Sequence, residues 1–387
     1  MKKKIAILGS TGSIGKSLLN IISKDYKNFE IVLLTANNNF KLLSKQANQF
    51  QVKNLIITNK NKIDLLKDKI SVENVNIYSN FDNLKNIFPK KIDYIMSSIT
   101  GIDGLEPTLN IIKHTNKIAI ANKESIICGW NLIHKELKKH CTDFIPVDSE
   151  HFSLWFGLQN LNIKNIEKMY ITASGGPFNS LPLKKFKNIK ISEALKHPNW
   201  KMGKKISIDS ATMINKIYEV IEARNIFNID LNKIEILIHP KSYVHAILKF
   251  DSGLAKIIAH DTTMRIPIFN TLYLNTNKKL KSQKIDIITL NNLDFKNLDT
   301  KRFPMSKLLN YFPLKQSLFE TVVVSANDTL VELFLNDKIK FTDIQKKLFQ
   351  IINEKKFLKY RKIYPKKIKD IVDLNNYVRL KTVKNYI

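Results

Sequence analysis

The sequence predicts an α/β protein in three parts: an N-terminal domain built on a parallel sheet, an α+β middle domain with a mobile lid loop, and a C-terminal helical domain. At 387 residues the chain is too long for one ordinary core. Up to about residue 147, short β-rich apolar runs alternate with helix-like patterns, and helical periods recur from about residue 304. The first pattern is typical of a parallel sheet, and the second of a small helical bundle.

The N-terminal domain is predicted over residues 1–147. Its apolar runs are short and separated by helical patterns, so each strand is expected to pair in parallel with its neighbours. The predicted strands are residues 5–8, 31–35, 55–58, 94–97, 118–121 and 144–147.

The middle domain is predicted over residues 148–274, where helix and strand patterns mix. Within it, residues 174–203 are rich in Gly, Pro and Lys and too polar to be core, which favours a lid. The runs that predict regular structure are 154–158, a helix at 211–227, 234–238 and 242–250.

A linker rich in Asn, Lys and Asp is predicted at residues 275–303. The C-terminal domain follows at 304–387, with helical periods at 317–335 and 342–358.

Composition excludes several classes of protein. A hydrophobic content of 44% and a charged content of 25% are those of a soluble globular enzyme. No apolar run approaches the roughly 18 residues that cross a bilayer, and residues 2–4 lead into the first strand without a signal-peptide core. Cys128 and Cys141 lack metal-type spacing and fit a reducing compartment. We therefore expect a cytoplasmic protein with no membrane partner.

The net charge of +29 would suit a nucleic-acid binder. The basic residues are scattered along the whole chain, however, and form no aromatic-interleaved patch. This pattern favours a general drift of composition, so no specific nucleic-acid partner is expected. Binding of DNA or RNA that weakens steeply with salt would reveal the alternative.

A glycine-rich turn follows the first predicted strand. Gly9, Gly12 and Gly15 lie between that strand and a helical pattern, an arrangement that lets backbone N–H groups approach a pyrophosphate. The N-terminal domain is therefore expected to be Rossmann-like and to bind a dinucleotide. The second strand ends in Asn at residues 37–39, with no carboxylate to bind a ribose 2′-hydroxyl, which favours NADP over NAD. Lys41 is the one cation that follows closely in the sequence.

Asp148, Ser149 and Glu150 follow the last predicted strand of the first domain. If this stretch is extended, residues 148 and 150 face the same side and Ser149 points away. Two converging carboxylates suit a hard divalent ion such as Mg²⁺ or Mn²⁺. The alternative is an ordinary pair of solvated loop charges.

Two further segments combine polar side chains with a predicted helix start. Ser210 is expected to cap the helix at 211–227, on which Asn215, Lys216 and Glu219 lie together and suit a phosphate and a third metal ligand. Residues 121–125 follow a strand where ligands bind in doubly wound sheets. In both cases the alternative is local structure alone: an amphipathic helix surface in the first, and a helix cap in the second.

Motifs in a fixed order connect these observations. The motifs are residues 9–15, 121–125, 146–151, 174–178, 197–203 and 207–219, with further similarity at 222–224, 238–240, 264–268 and 341–344. In order and spacing they resemble the 1-deoxy-D-xylulose 5-phosphate reductoisomerase family, the NADPH enzymes of the methylerythritol phosphate route to isoprenoids. The resemblance extends over most of the chain.

The resemblance implies a function for each motif. The catalytic residues would be Lys123, His197 and the carboxylates of Asp148, Glu150 and Glu219, and these three carboxylates would hold Mg²⁺ or Mn²⁺, with Co²⁺ as a third candidate. The sugar phosphate substrate would contact Lys123, Ser149, Glu150, Ser174, His197, Trp200, Ser210, Asn215, Lys216 and Glu219. NADPH would contact Thr11, Gly12, Ser13, Ile14, Asn37, Asn38, Asn39, Asn122, Glu124 and Gly203.

The implied reaction is the NADPH- and metal-dependent isomerisation and reduction of 1-deoxy-D-xylulose 5-phosphate to 2-C-methyl-D-erythritol 4-phosphate by a homodimer. A metal-free reductase of the semialdehyde dehydrogenase type is the enzymatic alternative, but it needs a nucleophilic Cys. This chain departs from the family pattern at Asn37 and Asn38, where Gly and Lys or Ser are frequent. It also departs at residues 257–265, which replace a Leu-Gly-x-Pro-Asp-Met-Arg run.

Overall fold

The computed structural model describes residues 1–200, 202–274 and 276–386. Residue 201 of the predicted lid and residue 275 of the predicted linker lie outside the described residues. Two compact units are present. The first consists of Met1–Ser125, Leu132–Phe152 and Met264–Leu280, and the second of Ile126–Asn131, Ser153–Thr263 and Lys281–Ile387. The finer four-part division of the chain stays a prediction.

Strands and helices alternate along the first part of the chain. The strands are β1 (Lys3–Leu8), β2 (Phe29–Ala36), β3 (Asn54–Ile57), β4 (Asn76–Tyr78), β5 (Tyr94–Ser97), β6 (Lys117–Ile120), β7 (Asp143–Pro146), β8 (Ile166–Ala173), β9 (Ile234–Ile238), β10 (Val244–Phe250), β11 (Ala255–Ala259) and β12 (Lys296–Asn297). The α-helices are α1 (Ser13–Ser23), α2 (Phe40–Phe50), α3 (Ile63–Lys67), α4 (Leu84–Ile87), α5 (Leu105–Ile112), α6 (Lys123–Lys139), α7 (Ser149–Gly157), α8 (Ile191–Ala194), α9 (Lys204–Ala211), α10 (Ile214–Phe227), α11 (Arg265–Tyr273), α12 (Ile287–Asn291), α13 (Phe319–Leu335), α14 (Phe341–Ile352), α15 (Lys355–Leu358) and α16 (Ile368–Tyr386).

The first unit contains a parallel sheet in the order β4-β3-β2-β1-β5-β6-β7. This is the doubly wound arrangement that the alternating pattern predicts, and all the predicted strands are present. Strand β4 was not predicted, because it has three residues, none of them fully buried, and is too short for a periodic hydrophobic pattern. The N-terminal fold prediction is confirmed.

Residues 264–280 belong to the first unit, although the sequence pattern placed most of them with the middle domain. Ile268, Leu272 and Tyr273 on α11 are buried in the same apolar core as Leu18 and Ile22 of α1. The hydroxyl groups of Tyr94 and Thr271 lie 2.7 Å apart and add a polar contact. A segment so far along the chain joins this core through tertiary packing, which no local pattern records.

The second unit contains a mixed sheet in the order β11-β10-β8-β9-β12. Strand β8 pairs in parallel with β9 and antiparallel with β10. The predicted strand at 234–238 is β9, and the prediction at 242–250 contains β10. Residues 296–297 and 287–291 form β12 and α12, so part of the segment predicted as a linker is regular structure. Both elements are too short to produce a periodic hydrophobic pattern in the sequence.

The predicted helix at 211–227 is two helices. Helix α9 ends at Ala211, Met213 has a positive φ of 70°, and α10 begins at Ile214. Ser210 therefore lies in the last turn of α9, and its predicted role as an N-cap is wrong. A left-handed Met cannot be read from composition, since non-Gly residues rarely adopt this conformation.

The C-terminal region is helical, as predicted. Helix α13 is buried along most of its length and packs against α14 and α16. The predicted run at 342–358 is divided into α14 and α15, because Glu354 between them is extended. Among the described residues, no helix combines the length and apolar content needed to span a membrane.

Candidate active site

The glycine-rich turn joins β1 to α1. Gly9 has a φ of +80°, and a Cβ at Gly15 would lie 2.5 Å from the Cα of Ser10, so only glycine fits at both positions. The N–H groups of Gly9 and Ser10 are bonded to Thr35 at the end of β2, both at 2.9 Å. Beyond them, Thr11, Gly12, Ser13 and Ile14 are all accessible to solvent at the start of α1. The arrangement can therefore bind an anion at the helix N-terminus.

Asn122 begins α6 as a helix cap. Its Oδ1 accepts the N–H of Ser125 at 2.8 Å, and its Nδ2 donates to the carbonyl of Gly101 at 2.7 Å. The capping alternative for residues 121–125 is thus confirmed. Lys123 and Glu124 are the first residues of α6, and both are buried. Capping and ligand binding are compatible here, because the cap places both side chains at the carboxyl end of β6.

Asp148 starts α7, which corrects the prediction that residues 148–150 are extended. Its carbonyl accepts the N–H of Phe152 at 2.7 Å, and its Oδ1 accepts the N–H of Glu150 at 3.4 Å. The carboxylate thereby satisfies the free N–H groups of the helix N-terminus, where negative charge is stabilised. Ser149 does not point away from Glu150, since its hydroxyl donates to Glu150 Oε2.

The Asp148 carboxylate also has cationic and imidazole neighbours. Lys123 Nζ lies 3.0 Å from Asp148 Oδ2, and His151 Nδ1 lies 3.4 Å from Oδ1. His151 is fully buried and was missed by the sequence analysis, although it lies one helical turn after Asp148. Within the first unit, the structure therefore brings together Lys123, Asp148, Ser149 and Glu150, as predicted.

Ser174 and His197 are in contact in the second unit. His197 Nδ1 accepts the N–H groups of Asn199 and Trp200 at 3.1 and 3.0 Å, so Nδ1 carries no proton. The proton of the neutral ring is then on Nε2, which donates to Ser174 Oγ at 3.1 Å. Burial, reinforced by the nearby Lys216 ammonium, lowers the pKa of His197 to about 4. The two backbone hydrogen bonds thus select the tautomer with its proton on Nε2, and the lowered pKa keeps the ring neutral.

Glu219 is almost fully buried on α10, at 2% exposure. It accepts hydrogen bonds from Asn215 Nδ2 and Lys216 Nζ, both one turn earlier on the helix. The helix face predicted from the sequence is therefore present, but it faces the protein interior. A carboxylate at this depth is stabilised only by such partners.

Ser210 lies beside the turn that contains Ser174. A Cβ on Gly176 would approach the carbonyl oxygen of Ser210 to 3.0 Å, so the turn at 174–176 passes close to the end of α9. Ser174 also accepts the N–H of Gly176 at 3.0 Å. Gly203 is accessible and immediately precedes α9.

The predicted lid is anchored at both ends in this structure. Near its end, Asn199 Nδ2 donates to Pro240 O at 2.6 Å and to Ser242 Oγ at 2.9 Å, and the Trp200 ring lies edge-on to His245 at 6.2 Å. Near its start, Phe178 is buried and packs edge-on against Phe341 at 5.3 Å. Asn199 was not singled out from the sequence, where it is one polar residue in a polar loop. Movement of the segment stays a prediction.

Comparisons with known proteins agree along almost the whole chain. Three family models match: 1-deoxy-D-xylulose 5-phosphate reductoisomerase at residues 5–129, its C-terminal domain at 144–227, and the DXP reductoisomerase C-terminal domain at 261–381. A 1-deoxy-D-xylulose 5-phosphate reductoisomerase of Pelagibacter ubique is 60% identical over 381 residues, 98% of each chain. One of Phocaeicola vulgatus is 38% identical, covering 93% of this chain and 94% of the relative.

Solved structures give the same result. The reductoisomerase from Zymomonas mobilis in complex with NADPH is 32% identical, with a TM-score of 0.87 over 100% of this chain and 99% of that one. A DOX-P reductoisomerase in complex with NADPH, fosmidomycin and magnesium is 30% identical, with a TM-score of 0.90 over 99% of this chain and 98% of that one.

The contacts of His197 generate a prediction about its protonation. We expect the ring to stay neutral with its proton on Nε2 from about pH 8 to about pH 5, whereas an unperturbed histidine titrates near 6.5. ¹⁵N-detected NMR of labelled protein measures both the midpoint and the tautomer. Lys216→Gln should raise the midpoint, because a neighbouring positive charge is lost, and Lys196→Gln at an exposed position should not. A midpoint near 6.5 in the unmodified protein would contradict this assignment.

Proposed function

The chain belongs to the 1-deoxy-D-xylulose 5-phosphate reductoisomerase family, and we propose that it converts 1-deoxy-D-xylulose 5-phosphate to 2-C-methyl-D-erythritol 4-phosphate with NADPH and a divalent metal, in isoprenoid precursor biosynthesis. The observation that carries the proposal is the group at the start of α7. There, the Asp148 carboxylate pairs with the buried Lys123 ammonium, and the Glu150 carboxylate follows two residues later. Such a group suits a substrate whose oxygens bind both a metal and a cation.

We propose that Asp148 and Glu150 hold the metal, with Glu219 as the third carboxylate. All three donors are carboxylate oxygens, which suit Mg²⁺ or Mn²⁺ and exclude a soft-metal site; Co²⁺ is the third candidate. Each carboxylate is oriented by hydrogen bonds of its own helix, as a metal ligand needs. When bound, the metal would stabilise the negative charge that develops on the substrate oxygens.

The phosphate end of the substrate is assigned to the second unit. Ser174 Oγ accepts from both His197 Nε2 and the Gly176 N–H, so its own proton is oriented outward and can be donated to a phosphate oxygen. Lys216 supplies a positive charge, and Ser210 and Asn215 supply further donors. Because His197 stays neutral, it holds Ser174 as a hydrogen-bond donor and adds no charge that would vary with pH.

The reacting end of the substrate is assigned to Lys123 and Ser149, beside the carboxylates. The Lys123 ammonium already compensates Asp148 at 3.0 Å, so it can orient a substrate oxygen next to that carboxylate. Trp200 on the lid, residues 174–203, would cover the substrate and exclude water, which strengthens polar contacts beneath it.

NADPH is assigned to the glycine-rich turn and the nearby strand ends. The accessible start of α1 suits the pyrophosphate, and the exposed amides at 37–39 suit the adenosine end. The proposed contacts are Thr11, Gly12, Ser13, Ile14, Asn37, Asn38, Asn39, Asn122, Glu124 and Gly203. When bound, NADPH supplies the hydride for the reduction.

A direct assay tests this function. NADPH absorbance should fall when 1-deoxy-D-xylulose 5-phosphate and Mg²⁺ or Mn²⁺ are present, and should stay constant in excess chelator. A reductase of the semialdehyde dehydrogenase type would keep its activity without metal and lose it when its cysteine is replaced. Cys128 is fully buried, and the exposed Cys141 lies just before β7, at the end of the sheet opposite the carboxyl ends of its strands, which argues against that alternative.

We also propose that the enzyme is a cytoplasmic homodimer. Two free cysteine thiols among the described residues support a reducing compartment. The edge strand β11 supports dimerisation, since Leu254 and Ile257 are 71% and 53% exposed beside its unpaired edge. Sedimentation should give about twice the chain mass of 44.8 kDa. Ile257→Lys should shift the protein toward monomer, and Ile288→Lys, at 72% exposure on α12, should not.

Glu219→Gln is expected to lower turnover at least about a thousandfold, because a lost metal ligand removes several kcal/mol of charge stabilisation. Gln keeps one acceptor oxygen, so one of the two hydrogen bonds from Asn215 and Lys216 is retained and the fold should survive. Affinity for NADPH should change little, which fluorescence titration measures. Glu235→Gln, an exposed carboxylate paired with Lys168, is the matched control and should keep full activity. Retention of a tenth of the activity at saturating metal would refute the ligand assignment.

Trp200→Ala is expected to weaken a three-carbon phosphonate–hydroxamate inhibitor and to raise KM, each by roughly tenfold, because the same aromatic cover serves both ligands. Inhibitor binding, measured by calorimetry, should also weaken in excess chelator. Trp200→Phe keeps an aromatic cover and should retain most of the affinity. Equal affinity with and without metal, or in the Ala variant, would separate the phosphate site from the metal site.

A further inference from the structure

The ends of β2 and β3 are tied together beyond the strands themselves. The N–H groups of Thr58 and Asn59 donate to the carbonyls of Ala36 and Asn37 at 3.1 and 3.3 Å. Two side-chain bonds reinforce them: Thr58 Oγ1 donates to Asn37 Oδ1 at 3.1 Å, and Asn59 Nδ2 donates to Asn38 Oδ1 at 2.6 Å. The loop after β3 is therefore part of the surface that follows β2.

Asn59 also fixes the turn that carries Lys62. Its Oδ1 accepts the N–H of Asn61 at 3.0 Å, and its carbonyl accepts the N–H of Lys62 at 3.0 Å. The Lys62 side chain is half-buried, and its Nζ lies 5.9 Å from the centre of the Phe40 ring. Phe40 is the first residue of α2, directly after Asn39. A cation from the β3 loop is thus held beside the β2 loop.

The chemistry of these groups suits a phosphate. Because the Oδ1 atoms of Asn37 and Asn38 already accept hydrogen bonds, their NH₂ groups are the part left for a ligand, and these can only donate. In a doubly wound sheet, the group at the end of the second strand reads the adenosine ribose. Donors plus a cation select a 2′-phosphate over a 2′-hydroxyl, whereas a carboxylate would do the opposite.

We propose that Lys62 is the residue that selects NADPH over NADH in this chain, by pairing with the 2′-phosphate. The proposal rests on the proposed function, which requires NADPH. Lys41, the cation nearest in sequence, is exposed, whereas Lys62 is half-buried beside the Phe40 ring. Lys62 is separated from the β2 loop by more than twenty positions, so only the fold places it there.

The test compares two nucleotides in one protein. Lys62→Met should lower kcat/KM for NADPH by about tenfold, the loss of one charge-assisted bond, and leave kcat/KM for NADH within about twofold. Binding of adenosine 2′,5′-bisphosphate should weaken by the same factor, while binding of adenosine 5′-monophosphate should not change. Added salt should weaken NADPH binding less in the variant than in the unmodified enzyme, because one screened charge pair is gone.

Two further variants make the outcome decisive. Lys67→Met is the matched control, because this nearby lysine pairs with Asp64 at 3.2 Å, and it should keep the preference. Asn38→Asp should reverse the preference toward NADH, since it brings a carboxylate to the 2′-phosphate. An unchanged NADPH preference in Lys62→Met overturns the inference and leaves the proposed function intact. Absence of turnover by the unmodified enzyme would instead refute the function, and the bisphosphate titration would still decide the role of Lys62.

Discussion

The orientation of the polar groups at the carboxyl ends of β6 and β7 depends on the hydrogen bonds and the ion pair that Asp148 makes. Its carbonyl and carboxylate start α7, and the same carboxylate pairs with Lys123, the first residue of α6. One residue therefore fixes the starts of two helices relative to each other. Its removal would cost the buried Lys123 ammonium this ion pair and α7 its cap, and each loss costs free energy of folding. A neutral Asn could still cap the helix, but it would lose the charge that pairs with Lys123.

In the second unit, site side chains are likewise oriented by hydrogen bonds from nearby residues, but the groups differ. Glu219 is held by Asn215 and Lys216 on its own helix, and the tautomer of His197 is selected by two backbone N–H groups. In each case a side chain assigned to the site is oriented by its immediate neighbours in sequence. Local bonds of this kind keep the groups oriented before any ligand is bound, which reduces the cost of ordering them on binding.

The fold was predictable from the sequence where a periodic hydrophobic pattern or a characteristic turn determines the local structure. The parallel strands, the glycine-rich turn and the helical C-terminal region were predicted correctly, because each has a local signature. The failures have physical causes in tertiary structure. Helix α11 joins the first core across more than a hundred residues, and Met213 breaks a helix with a backbone conformation that Met rarely adopts. The extended reading of residues 148–150 failed because a carboxylate after a strand is also a good helix cap. Lys62 was missed for a different reason, since its position beside the Phe40 ring depends on the pairing of β2 with β3.

The segment 257–265, where the chain departs from the family pattern, shows how a changed sequence can keep a defined surface. The His260 ring stacks on His245, with centroids 3.8 Å apart and an interplanar angle of 16°. His245 Nε2 lies 3.3 Å from the carbonyl of His260, and His260 Nδ1 lies 2.8 Å from that of Asp261, so each ring has a proton directed at a carbonyl. Burial lowers the pKa of His260, which favours the neutral form of this ring.

The two stacked rings present an aromatic surface, and Trp200 lies edge-on to His245 at 6.2 Å. The indole of the lid therefore lies against a ring that is itself stacked on His260, a residue of the segment where the chain departs from the family pattern. The surface under Trp200 is thus formed in part by a segment where this chain departs from the family pattern.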